Sequence, residues 1–124
     1  MQLKISGQIP SGKNAVVITR TGLRFPAKRF VEWRKKAIAE VLPQLEGIEE
    51  QLPIDHTCNV TIEYRSADMR RRDVPGMIDA LWHLLEKVRV VTDDKHLGGH
   101  KGQVVFINFG KDKDNAGVII TIEE

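Results

Sequence analysis

A single cysteine, Cys58, leaves no disulfide to be formed within the chain and fits a reducing compartment. Its place in an alternating segment predicts a small buried side chain, not a reactive thiol. No apolar run approaches the roughly 20 residues of a membrane-spanning helix, and no secretory leader is read at the start. A cytoplasmic protein without a membrane partner is therefore expected. Internal repeats and low-complexity tails are also missing. Charge of one sign is scarce: 19 Lys and Arg against 17 Asp and Glu give a formal net charge of +2. Affinity for a polyanion must then come from a local cluster and not from the whole surface. At 124 residues the chain is expected to be one domain, 1–124, around one core.

What is present concentrates between Arg70 and His96, RRRDVPGMIDALWHLLEKVRVVTDDKH. Ile78, Leu81, Trp82, Leu85 and Val88 recur at three-and-four spacing, which predicts a helix with those residues on its apolar face. Pro75 suits the first turn, and Asp73 just ahead is placed to cap the free amides. Asp79, His83 and Glu86 fall in a row on the opposite face. Arginine forks hold phosphates, while carboxylates hold a hard cation that activates water. Acidic groups beside Arg70, Arg71 and Arg72, with Asp93 and Asp94 further on, therefore suit phosphoryl chemistry on a polyanion. Mg²⁺ fits a few carboxylates better than a full protein cage, with Mn²⁺ as the alternative.

Around this stretch the chain reads as scaffold. Leu3 to Ile9 alternates as a strand, and Ala15–Arg20 and Leu23–Pro26 read as a hairpin across Thr21 and Gly22. Lys28 to about Leu45 is helical, with Phe30, Trp33, Ala37, Val41 and Leu45 on one stripe; Pro43 is expected to end it early. Trp33 is read as a core anchor, and EGIEEQLPID as an acidic linker away from the polyanion. Thr57 to Arg65 alternates cleanly, with Cys58, Val60, Ile62 and Tyr64 inward. Gln103–Phe109 and Ala116–Ile122 read as a hairpin around GKDKDN. Gly98, Gly99 and Gly102 are read as flexible points near the site. His96 and His100 are four apart, but the glycines between them argue against a zinc site. The expected fold is α+β (α/β): a single two-layer domain, a mixed sheet with two helices packed on one face, the other face polar or covered by a second copy.

The basic run closing on an aspartate at Arg70–Asp73, the helix after it, the pair Asp93–Asp94, IPSGKN at Ile9–Asn14 and the segment from Arg24 through Trp33 together resemble the RusA family of Holliday junction resolvases, small phage and prophage endonucleases. That resemblance implies metal-dependent cleavage of four-way junctions or other branched DNA in recombination and repair, by a homodimer. It assigns the second acidic role to Asp94 and leaves Asp93 as a turn or cap. The chain departs from the family pattern at Pro75 and Gly76, where an aspartate and an asparagine are usual, and at Asp79, where the helix lysine falls. Asp79 is therefore expected to replace the missing carboxylate, giving Asp73, Asp79 and Asp94 as catalytic metal ligands. Arg70, Arg71 and Arg72 are expected to hold the DNA, with Lys95 or Lys101 standing in for the lysine. The alternative is a catalytically degenerate DNA-binding protein of the same fold.

Overall fold

The computed structural model describes residues 1–10, 16–18, 20–22, 24–26, 28–98 and 102–124. Its elements are β1 Gln2–Ser6, the short pair β2 Val16–Ile18 and β3 Arg24–Pro26, helix α1 Lys28–Gln44, β4 Asn59–Ser66, helix α2 Val74–Lys87, β5 Val104–Lys111 and β6 Gly117–Glu123. Four strands form one mixed sheet in the order β1-β6-β4-β5, and β2 pairs with β3 as a separate antiparallel hairpin. This is a single small α+β domain. Lys101, His100, Gly99 and the SGKN part of the Ile9–Asn14 segment lie outside the described residues.

Alternation decides which face of the sheet is buried. Leu3 and Ile5, Val118, Ile120 and Ile122, and Val60, Ile62 and Tyr64 all turn to one face and join residues of both helices in one core. From α1 come Phe30, Ala37 and Val41, and from α2 come Met77, Ala80, Leu81, Leu84 and Leu85. Each fully buried Leu contributes about 1.5–3 kcal/mol. The α2 stripe is rotated from the expected one: Met77 and Leu84 replace Ile78, Trp82 and Val88, which are only partly buried at its flank. Pro43 lies inside α1 and not beyond it. It falls in the last turn, so the helix loses one bond near an end already short of partners.

The closing segments pair differently from a hairpin. β6 runs antiparallel to β4 on one side, and β5 runs parallel to β4 on the other. The turn between them crosses the end of β4, where the Asp112 N–H bonds the Ser66 carbonyl at 2.9 Å. The GKDKDN segment has turn chemistry, but β4 takes a neighbour on both edges.

The two outer edges are treated unequally. Against β1, the α1 side chains satisfy the open backbone: Glu40 accepts from the Ser6 N–H at 2.6 Å, and the Gln44 amide bonds both the N–H and the carbonyl of Lys4 at 2.8 and 2.7 Å. β5 has no described strand or helix on its far edge. Four of its residues, Val104 (38% exposed), Val105 (45%), Ile107 (38%) and Phe109 (52%), are large, apolar and exposed.

Two local devices aim the chain at the site. α2 ends with Arg89 at φ 65°. The Arg89 N–H bonds the Glu86 carbonyl at 3.1 Å and the Val90 N–H bonds that of Leu85 at 2.9 Å, a left-handed helix cap usually made with Gly. It turns Val90 and Val91 inward, where both are buried, and brings the following aspartates back beside the helix. Gly98 and Gly102 sit where the packing is close: a Cβ on Gly98 would collide with the Val104 side chain, and one on Gly102 would sit 2.7 Å from the Cys58 carbonyl. Cys58 is buried as expected, and burial, then Glu124, pushes its thiol pKa up.

Candidate functional site

The arginine run leaves β4 through a tight loop. Asp68 organises it: its carboxylate takes the Arg72 guanidinium at 2.9 Å and the Arg70 N–H at 2.8 Å. Those contacts, the Arg72 hydrogen bond first, hold the Asp68 pKa below the usual carboxylate range. Arg72 is thereby pinned, its side chain 18% exposed, while the Arg70 side chain, 84% exposed, makes only a long ion pair with Asp68 at 3.9 Å. Gln8 ties the same loop to the exit of β1, since its amide donates to the Tyr64 hydroxyl at 2.7 Å and accepts from the Ala67 N–H at 2.8 Å.

Between these walls lies a cleft of about 370 Å³, lined by the Gln8–Pro10 segment, Arg29 and Trp33 of α1, and Arg70, Arg71 and Arg72. Four arginines from two separate segments line one concavity, and among the described residues no acidic residue does. Trp33 is half-buried, with the Phe30 ring 5.9 Å away. Its indole N–H is buried and has no hydrogen-bond partner among the described residues. Trp33 is thus both a core contact and a cleft wall. Arg29 was not singled out by sequence; four residues ahead of Trp33, it shares that face of the helix.

Asp73 precedes α2 in extended conformation, but its side chain makes no capping bond; only its carbonyl enters the helix, accepting from Met77 at 3.0 Å. Pro75 fills the first turn, as expected. At the far end of α2, Glu86, Asp93 and Asp94 each present a carboxylate oxygen within 4.8 Å of the others. The Asp94 N–H bonds Glu86 at 3.1 Å, and Asp93 caps a 3₁₀ turn over Asp94–His96 by accepting from the Lys95 N–H at 2.9 Å. That bond, with Lys95 nearby, holds the Asp93 pKa low.

Asp94 is therefore brought to Asp93 and Glu86. It is not grouped with Asp73 and Asp79. Thirteen residues of helical rise, about 20 Å, separate Asp73 from Glu86, and about 10 Å separates Asp79 from it on the same face. The row from Asp79 to Glu86 pointed to Glu86, but only the left-handed cap, which no glycine announces, shows that the aspartate pair returns to it. His83, between them, is 3.3 Å from Arg34, and its ring lies 5.8 Å from that of Phe30. Lys95 is exposed beside the acidic cluster.

Fold and site together describe a small α+β protein with a basic cleft and a carboxylate cluster at opposite ends of one helix. Over 81 residues the chain is 30% identical to the crossover junction endodeoxyribonuclease RusA of Aquifex aeolicus (strain VF5), which covers 65% of this chain and 61% of that protein. The chain thus spans about three fifths of the length of the curated relative it matches. No family model matches it. Among the described residues, no helix is long and apolar enough to cross a membrane.

Proposed function

We propose that the protein is a divalent-metal-dependent endonuclease that resolves Holliday junctions or other branched DNA in recombination and repair, acting as a homodimer. The observation that carries this reading is that α2 joins a four-arginine cleft at its start to a three-carboxylate cluster at its end, in a chain similar to a RusA protein. Duplex DNA advances 3.4 Å per nucleotide of one strand, so the helix between the two sites matches about six steps. The arginines hold phosphates and set the register of the strand without reading sequence. Glu86 and Asp94, with Asp93 fixed by its cap, offer hard oxygen donors at spacing suited to Mg²⁺ or Mn²⁺. A bound cation would supply a water of lowered pKa and charge stabilisation at the attacked phosphate.

In this assignment Asp94 keeps the role expected of it, and Glu86 and Asp93 stand where Asp73 and Asp79 were expected. Asp79 lies two turns along the same face. Asp73 belongs to the cleft end of α2. Asp94→Asn is the test: it should abolish metal-dependent nicking of a branched substrate and keep binding. Undiminished nicking would refute the assignment.

The second copy fits the free edge of β5. The Val60 N–H bonds the Gln103 carbonyl at 2.9 Å. In a parallel ladder this turns the backbone of Gln103, Val105 and Ile107 toward β4 and that of Val104, Phe106 and Asn108 outward. The Gly110 N–H is already taken by Asn108 at 2.8 Å. A two-fold axis at Phe106 uses the free groups and avoids Gly110: Val104 faces the partner's Asn108, and Val105 faces the partner's Ile107. Gln103 to Gly110 carries no charged side chain of its own, so within that stretch two antiparallel copies set no charged residue against another, and the two-fold supplies paired sites for paired cuts.

A further inference from the structure

We infer that the cleft between α1 and the arginine loop receives a single unstacked nucleotide of the bound strand, its base against Trp33 and its flanking phosphates on Arg29 and the Arg70–Arg72 run. This rests on the reading that the partner is branched DNA and names which part of that DNA the cleft takes. At about 370 Å³ the cleft is near the lower end of ligand-pocket size, room for one base and sugar and far too little for a duplex. Its chemistry has the two parts that single-stranded nucleic acid requires, a positive groove and an aromatic face. Arginine supplies the first from both walls. Trp33 supplies the second, with Phe30 beside it.

Three features mark a built cleft and not a chance dent. Gln8 braces the walls through hydrogen bonds to Tyr64 and Ala67. Asp68, itself not part of the lining, sets Arg72 in place at 2.9 Å, and no acidic residue lines the cleft among the described residues. The indole N–H of Trp33 is held from water and has no acceptor among the described residues, a state that a ring nitrogen, carbonyl or phosphate oxygen arriving in the cleft would relieve after a small shift of the ring. At a branch point stacking is already interrupted, so extruding one base there costs less than from a continuous duplex. The cleft would thus favour junctions over linear DNA without reading base sequence.

The test places 2-aminopurine either at the branch point or within an arm of a four-way junction and follows its emission as protein is added in chelator. A change confined to the branch-point probe is expected. Trp33→Leu should abolish it and weaken junction binding by about tenfold, the loss of one base–aromatic stack, whereas Trp33→Phe should retain much of both. Arg29→Ala, on an exposed turn where folding is not at stake, should weaken binding and reduce the signal. If Trp33→Leu and Arg29→Ala respond like the unaltered protein, or the arm probe responds equally, the inference is overturned. A branch-point response in a protein that never cuts DNA would uphold the cleft and refute the nuclease reading.

Discussion

Removing Arg70 and Arg71 together should halve the salt dependence of DNA binding. Both side chains are exposed, so their loss leaves the fold intact to within about 0.5 kcal/mol each. Arg72 is left in place because Asp68 depends on it. Each arginine that neutralises a phosphate contributes a slope of about −0.9 in log affinity against log salt for duplex, or about −0.7 for a single strand, so the four cleft arginines give about −2.8 to −3.6. Between 50 and 200 mM salt, affinity should then fall about 50- to 150-fold for the unaltered protein and only about 7- to 12-fold for Arg70→Ala with Arg71→Ala. Fluorescence anisotropy of a labelled four-way junction in chelator measures this directly. An unchanged slope in the double variant would show that the cleft does not carry the phosphate contacts, whatever the absolute affinity.

Three further outcomes follow from the same geometry. Glu86→Gln should remove metal-dependent cleavage and the Mn²⁺-induced broadening of NMR signals from residues 93–95, while Asp73→Asn should leave the broadening; the reverse pattern would move the metal to the other end of α2. Ile107→Lys puts a charge at the seam of the two β5 strands and should give a folded monomer by light scattering, where a persisting dimer would require another interface. Arg89→Gly relieves a left-handed conformation that costs an L-residue about 1–2 kcal/mol, offset in part by the chain entropy of Gly. A net gain of up to about 1 kcal/mol is expected in urea unfolding, and a loss would mean that the Arg89 side chain does more than close the helix.

The elements were largely legible in the sequence because each carries its own period. Alternation marked β1 and β4, three-and-four spacing marked α1 and α2, and Thr21–Gly22 marked the β2–β3 turn. What was not legible was non-local. GKDKDN has the composition of a hairpin turn, yet β5 and β6 straddle β4, since which strand edges pair depends on the whole sheet. The rotation of the α2 stripe toward Met77 and Leu84 depends in the same way on where α1 and the sheet lie. At the site, Arg70 to Arg72 stood out by local clustering, and Asp94 was chosen over Asp93 only by the family resemblance. Arg29, Trp33 and Glu86 join them only through the docking of α1 beside the loop and the reversal at Arg89, a left-handed cap made without glycine.

The most direct test of the central claim is cleavage of a labelled four-way junction by the purified protein, with Mg²⁺ and with chelator, beside a linear duplex of the same sequence. Paired nicks confined to the junction and lost in chelator are expected. Tight junction binding with no cut in Mg²⁺ or Mn²⁺ would contradict the account and leave a protein that acts on branched DNA by binding alone.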